Sequence, residues 1–136
     1  LIVAGGGSPE AYLAGKLKQW ADSFDGREQL AIKQYAESLE SIPLTIAENA
    51  GMDPIDSIIA LRAKQNKGEK TTGINAREGK IGDVYSLDIV EPLAVKEQII
   101  KSATEAACMI LRIDDVIAIS GGSSAGGPPP GMPPMG

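Results

Sequence analysis

A mainly α-helical fold with one small β-hairpin, closed by a short C-terminal strand, is predicted from three features of the sequence. Two helices open with a capping residue followed by proline, Ser8-Pro9 and Asp53-Pro54, and continue with apolar residues at helical spacing. A Thr- and Gly-rich stretch around Glu78-Gly79 breaks that period. The residues from Ser120 to Gly136 carry no charge and consist of Gly, Pro, Ser, Ala and Met, which leaves roughly Leu1 to Ile119 to fold.

The chain opens on Leu1-Ile2-Val3-Ala4, an apolar, β-like segment with no polar lead-in. A native domain rarely begins inside its core, so an incomplete domain, the C-terminal part of something longer, is expected. Ser8 and Pro9 start the first helix, whose stripe is Leu13, Leu17, Trp20, Ala21 and Phe24, and Asp25-Gly26 breaks it. The second runs from about Arg27 to Ala50 with Ile32, Ala36, Leu39, Ile42 and Ile46 on one face. Pro43 is expected to kink it, and Gly51 closes it. Asp53-Pro54 opens the third, with Ile55, Ile58, Ile59 and Arg62 defining its face and Gly68 ending it. Thr71 to Val84 reads as a hairpin turning at Glu78-Gly79. Glu91-Pro92 begins a fourth helix through Val95, Ile99, Ala103, Ala107 and Ile110, and Leu111, Ile113 and Val116-Ile117 suggest the closing strand. The uncharged tail, 120–136, cannot bury enough apolar surface to offset its ordering entropy and is expected to be disordered.

Composition narrows the chemistry. The 136 residues are 43% hydrophobic and 23% charged, ordinary for a globular chain. Thirteen basic against eighteen acidic side chains give a net charge of −5, which argues against nucleic acid as the main ligand. No apolar run reaches the ~18 residues of a membrane span, so no membrane partner is expected. A single cysteine, Cys108, excludes an internal disulfide framework and fits a reducing cytosol; in its Ala-rich helix it reads as a small buried apolar residue. With no histidine in the chain, Ser-His-Asp, Cys-His and His-metal chemistry are absent.

Three groups of residues can carry chemistry. Ala4-Gly5-Gly6-Gly7-Ser8 joins an apolar stretch to a helix start, where close backbone approach and free N–H groups favour an anion. The dinucleotide fingerprint fails, since Glu10 stands where its last glycine belongs, and the Walker Gly-Lys-Ser/Thr is missing. A tight turn that packs a helix closely is the plainer reading. The second group is Gly73-Ile74-Asn75-Ala76 with Glu91: a backbone loop can line a base and a carboxylate can accept from ribose hydroxyls, whereas Glu91 alone is also well placed against a helix macrodipole. Lys96, five residues on, reads by default as a solvated lysine. The third is Arg112-Ile113-Asp114-Asp115, whose adjacent carboxylates on a strand would face opposite ways and form a charged rim.

In their order, Val3-Ala4-Gly5-Gly6-Gly7, Gly26-Arg27-Glu28-Gln29-Leu30-Ala31-Ile32, Ala47-Glu48-Asn49-Ala50-Gly51, Asp53-Pro54-Ile55-Asp56 and Gly73-Ile74-Asn75 resemble the group II chaperonins. So do Val90-Glu91-Pro92, Ala103-Thr104-Glu105-Ala106-Ala107 and Ile110-Leu111-Arg112-Ile113-Asp114-Asp115, while the tail is similar to that of the archaeal thermosome. The resemblance covers the whole folded part. It implies the last quarter of a subunit: residues 1–7 as the end of the intermediate-domain connection and the glycine turn, 8–119 as the C-terminal half of the equatorial domain, and 120–136 as a tail projecting into the ring cavity. Such subunits form cytoplasmic double rings that fold non-native polypeptides with ATP binding and hydrolysis. By the same resemblance Gly5 and Gly6 lie against ATP or ADP, Asn75 and Ala76 line the adenine side, Glu91 holds the ribose and Lys96 is nearby.

The family's Gly-Asp-Gly-Thr phosphate loop, which holds phosphate and Mg2+, and its water-activating aspartate belong to parts not in this chain. No catalytic or metal-ligating residue is therefore assigned. Leu44 follows Pro43 where the family usually has arginine, which puts the contact of that arginine in doubt. A small helical interaction module without nucleotide is the rival expectation, and a Gly-rich-loop oxidoreductase is disfavoured by the failed fingerprint.

Overall fold

The computed structural model describes residues 1–121, the side chains of 114–121 excepted. Among the described residues, four helices are joined by four short strands: β1 (Ile2–Ala4), α1 (Ser8–Ala21), α2 (Gly26–Asn49), α3 (Pro54–Asn66), β2 (Thr72–Asn75), β3 (Lys80–Asp83), β4 (Val90–Pro92) and α4 (Leu93–Gly121). The strands make two separate antiparallel pairs, β1 with β4 in the register Val3↔Glu91 and β2 with β3 in the register Ile74↔Ile81. One compact unit runs from Leu1 to Lys96; a second begins at Glu97 and consists, among the described residues, of the rest of α4.

The fold class is as expected, mainly helical with a small hairpin. Asp53 caps α3 by accepting from the Asp56 amide at 2.8 Å, and Pro54 occupies the first turn, where its missing N–H costs nothing. Gly51 and Gly68 follow their helices with φ of 73° and 98°, left-handed conformations that glycine adopts without a Cβ clash. Gly79 turns the hairpin with φ 62°.

Several expectations are corrected. The closing strand does not form: Leu111, Ile113 and Val116-Ile117 lie in α4, whose helical period from Val95 onward simply continues. Asp114 and Asp115 are therefore helical, not opposed on a strand. Ser120 and Gly121 are helical, and the rest of the expected tail lies outside the described residues. Cys108 is exposed rather than buried. Ser8 does not cap α1; Gly7, with φ 71°, occupies the cap position and the Ser8 hydroxyl instead donates to the Lys70 carbonyl at 3.0 Å. Pro43 lies inside the continuous α2, as expected, and is buried at the point where a Cβ on Gly7 would meet its own Cβ at 2.7 Å.

The buried faces are narrower and smaller than the apolar stripes suggest. In α1 it is Ser8, Glu10, Ala11, Ala14 and Ala21 that turn inward, while Leu13 and Trp20 are exposed. In α2 the buried line is Ala36, Leu39, Glu40, Pro43 and Ala47. In α3 it is Ser57, Ile58, Leu61 and Gln65, leaving Ile55 and Ile59 outside. Small side chains let helix backbones approach closely, so a stripe of large residues is not required for burial. Ala11, Ile58 and Leu61 form the core cluster, with Leu44 and Ile81 packed on it, so the leucine in the position expected for arginine completes an apolar contact. Gln65 ties this core to the site, donating to the Ser8 and Thr72 carbonyls at 3.0 and 3.2 Å.

Candidate functional site

The glycine turn is built into the fold at close quarters. Gly5 donates to the Ile89 carbonyl at 2.8 Å, and Ile74 donates to the Gly6 carbonyl at 2.9 Å. Gly6 has φ 60°, and a Cβ there would stand 2.4 Å from the Ile74 carbonyl oxygen. Across the contact, a Cβ on Gly73 would come within 2.8 Å of the Gly5 carbonyl oxygen. Glycine meets glycine because both backbones need the space. The plainer reading of the turn, close packing, therefore holds. A side chain at Gly6 would displace β2 before it could meet any ligand.

That packing leaves a cleft of about 490 Å³ beside the turn, walled by Gly6, Ile46 of α2, Ile74, Asn75 and Ala76 of the hairpin, and Asp88 and Ile89. Three of the residues singled out in the sequence, Gly6, Asn75 and Ala76, thus come together on one concavity. Asn75 is buried, and its Oδ1 accepts from the Arg77 and Glu78 amides at 3.2 and 3.4 Å. These bonds fix the hairpin turn and aim the cleft wall. Asp88 adopts φ 58°, a left-handed conformation that asparagine and aspartate tolerate better than most residues.

Glu91 and Lys96 belong to a second arrangement. Glu91 lies on β4 opposite Val3, not at a helix start, because the β1 pairing captures Val90 to Pro92 first. Lys96 is not solvated: its side chain is 9% exposed, and its Nζ pairs with Glu10 Oε1 at 2.6 Å and with Glu91 Oε2. Glu10, in the first turn of α1, is 1% exposed and its Oε2 has no hydrogen-bond partner among the described residues. Burial pulls the Lys96 ammonium down, but the hydrogen bonds and charges of Glu10 and Glu91 outweigh it and hold it above the ordinary lysine value of 10.5. Glu10 was missed by sequence reasoning, which noted it only as a misfit to a fingerprint. The lysine that gives it meaning is far away in the chain and brought near by strand pairing.

A further buried carboxylate, Glu40, ties the helices that carry the site. It accepts from Lys18 Nζ of α1 and Arg62 Nε of α3, both at 2.8 Å, and from the second Arg62 nitrogen. Among the described residues no group of three or more His, Cys, Asp or Glu side chains is arranged to hold a metal ion. No described helix is long and apolar enough to cross a membrane.

Comparison with known proteins agrees with this architecture. The TCP-1/cpn60 chaperonin family model matches residues 1–120. The chain is 52% identical to thermosome subunit 1 of Haloferax volcanii over 139 aligned positions, covering 96% of this chain and 25% of that protein. It is 56% identical to thermosome subunit alpha of Halobacterium salinarum over 126, covering 93% and 22%. The open-state monomer of a group II chaperonin from Methanococcoides burtonii superposes with a TM-score of 0.79 at 48% identity, covering 82% of this chain and 28% of that one. The chain thus spans about a quarter of the length of the curated relatives it matches. It belongs to the TCP-1/cpn60 chaperonin family.

Proposed function

We propose that this chain is the C-terminal part of the nucleotide-binding equatorial domain of a group II chaperonin subunit, and that it forms the adenosine side of an ATP site. The cleft that gathers Gly6, Asn75 and Ala76 carries the reading. Its volume of about 490 Å³ falls within the range of roughly 300–1,000 Å³ usual for small-molecule sites. In this reading Asn75 and Ala76 line the adenine, the glycine turn lies under the nucleotide, and Glu91, with Lys96 beside it, accepts from the ribose. In this reading phosphate and Mg2+ chemistry belong to the remainder of the subunit. ATP hydrolysis, ring assembly with other subunits, folding of non-native polypeptides and a cytoplasmic setting are properties of that complete subunit. The proposed boundaries are 1–7 for the connection and glycine turn, 8–119 for the equatorial half and 120–136 for the tail.

The exposed Leu13, Trp20, Leu30, Ile55 and Ile59 favour a partial domain over a self-contained interaction module, whose surface would be more polar. The test is calorimetric titration of ATP into the complete subunit with Glu91→Ala. A charge-assisted hydrogen bond contributes about 1.5–3 kcal/mol, so affinity should fall about tenfold or more while ring assembly persists. Unchanged affinity removes Glu91 from the ribose role.

A further inference from the structure

The buried carboxylate of Glu10 is not explained by packing. It is 1% exposed, one of its oxygens has no partner among the described residues, and an apolar side chain of similar size would fill the space without stranding that atom. What a carboxylate does here that an apolar group cannot is hold an ammonium. Its other oxygen meets Lys96 Nζ at 2.6 Å, and the same nitrogen meets Glu91 Oε2. Lys96 is itself 9% exposed, whereas Glu91, at 38%, is the member of the three that solvent or a ligand can reach.

We infer that Glu10 is a positioning residue of the nucleotide site: its buried carboxylate fixes the Lys96 ammonium, which in turn holds Glu91 where it accepts from a ribose. The inference rests on the nucleotide reading given above. Glu91 alone, half-exposed on a three-residue strand, would sample several rotamers. An ammonium anchored from below selects one of them and leaves the other carboxylate oxygen, Oε1, for the ligand. Glu10 suits the anchoring task because it sits in the first turn of a helix, where the backbone dipole favours a negative charge. It also lies four residues after Gly6, so the short segment that walls the cleft leads into the helical turn that carries the anchor for Glu91.

The test compares ATP with 2′-deoxy- and 3′-deoxy-ATP in the complete, assembled subunit, using the wild type, Glu91→Ala, Glu10→Gln and Glu10→Asp. The wild type should prefer ATP over at least one deoxy analogue by about tenfold, the equivalent of one good hydrogen bond. Glu91→Ala should abolish that preference. Glu10→Gln should reduce it to about threefold or less, although Glu10 touches no part of the nucleotide. Glu10→Asp keeps the charge but falls one methylene short of Lys96, and carries the same expectation if the glutamine variant fails to assemble. A purely structural Glu10 would weaken all three nucleotides alike and leave the preference intact, which overturns the inference. If Glu91→Ala keeps the preference, or the wild type has none, the ribose reading of Glu91 fails and the role of Glu10 fails with it.

Discussion

Replacing Lys96 with methionine should make the stability of the complete subunit depend on pH in a way the wild type's does not. The substitution keeps most of the apolar stem and removes the ammonium, leaving Glu10 at 1% exposure with neither oxygen partnered among the described residues. A carboxylate in that position has two routes: remain ionised without a counter-charge, at several kcal/mol, or take up a proton on folding. The second route is cheaper. Protonating a carboxyl group whose unfolded-state value is about 4.3 costs about 3.7 kcal/mol at pH 7, and only about 1 kcal/mol at pH 5. Glu91 loses the same partner but is 38% exposed, so solvation absorbs most of its loss. The sign follows from linkage: the folded variant binds one proton more than the unfolded chain above pH ~4.3, so its stability falls as pH rises. Urea unfolding followed by circular dichroism at pH 5, 6 and 7 should show the gap between variant and wild type widening by about 1.4 kcal/mol per pH unit. The double variant Glu10→Gln, Lys96→Met should lose that slope. A gap that stays constant across these pH values would refute the reasoning, since it would mean that Glu10 finds another partner or reaches water.

In the wild type, the raised Lys96 value places a second transition at alkaline pH: its contribution is complete below 10.5 and is lost as pH climbs through the higher folded-state value, which a base titration of the melting temperature should detect. Gly51→Ala should cost only about 1–2 kcal/mol, because φ is 73° but the space is open, whereas Gly6→Ala at φ 60° also drives a Cβ to 2.4 Å from Ile74 and should cost about 4 kcal/mol or more; equal losses in thermal melts would contradict the packing account. Arg62→Ala leaves the buried Glu40 with Lys18 alone and should destabilise by about 2–3 kcal/mol, less than a fully buried pair because Arg62 and Lys18 are themselves 38% and 29% exposed. Adding Glu40→Met to that variant should recover part of the loss in the same melt.

The elements that were readable from sequence are those whose signals are local. Asp53-Pro54 starts a helix because the cap and the proline act within one turn, and Gly79 turns the hairpin because only a few residues are involved. The failures share a different cause. The β-branched residues near Ile113 resemble a strand in isolation, yet a helix already under way extends through them more readily than a lone strand forms without a partner. Glu91 reads as a helix start until β1, far away in sequence, pairs with it. Leu13 and Trp20 of α1 point outward because close approach of α1 to α2 selects alanines, and a hydrophobic stripe says nothing about which neighbour will be present to cover it. Among the site residues, Gly6, Asn75 and Ala76 meet at one cleft, whereas the burial of Lys96 was not visible from its surroundings in sequence.

The short segment from Gly5 to Glu10 explains why the two arrangements sit on one scaffold. Gly5 and Gly6 dock it by backbone bonds to Ile89 and Ile74, both of which wall the cleft. Gly7 seats it on Pro43, and Ser8 bonds the Lys70 carbonyl and receives Gln65. With its path held from β2, α2 and α3, the first turn of α1 has little freedom, and Glu10 arrives at Lys96 as a consequence. The glycines of this turn therefore do a prior job, letting backbones converge closely enough for a buried carboxylate to reach a buried ammonium. Any role in contacting nucleotide is built on that convergence, because a side chain that opened the turn would separate the cleft wall and the ion pair together.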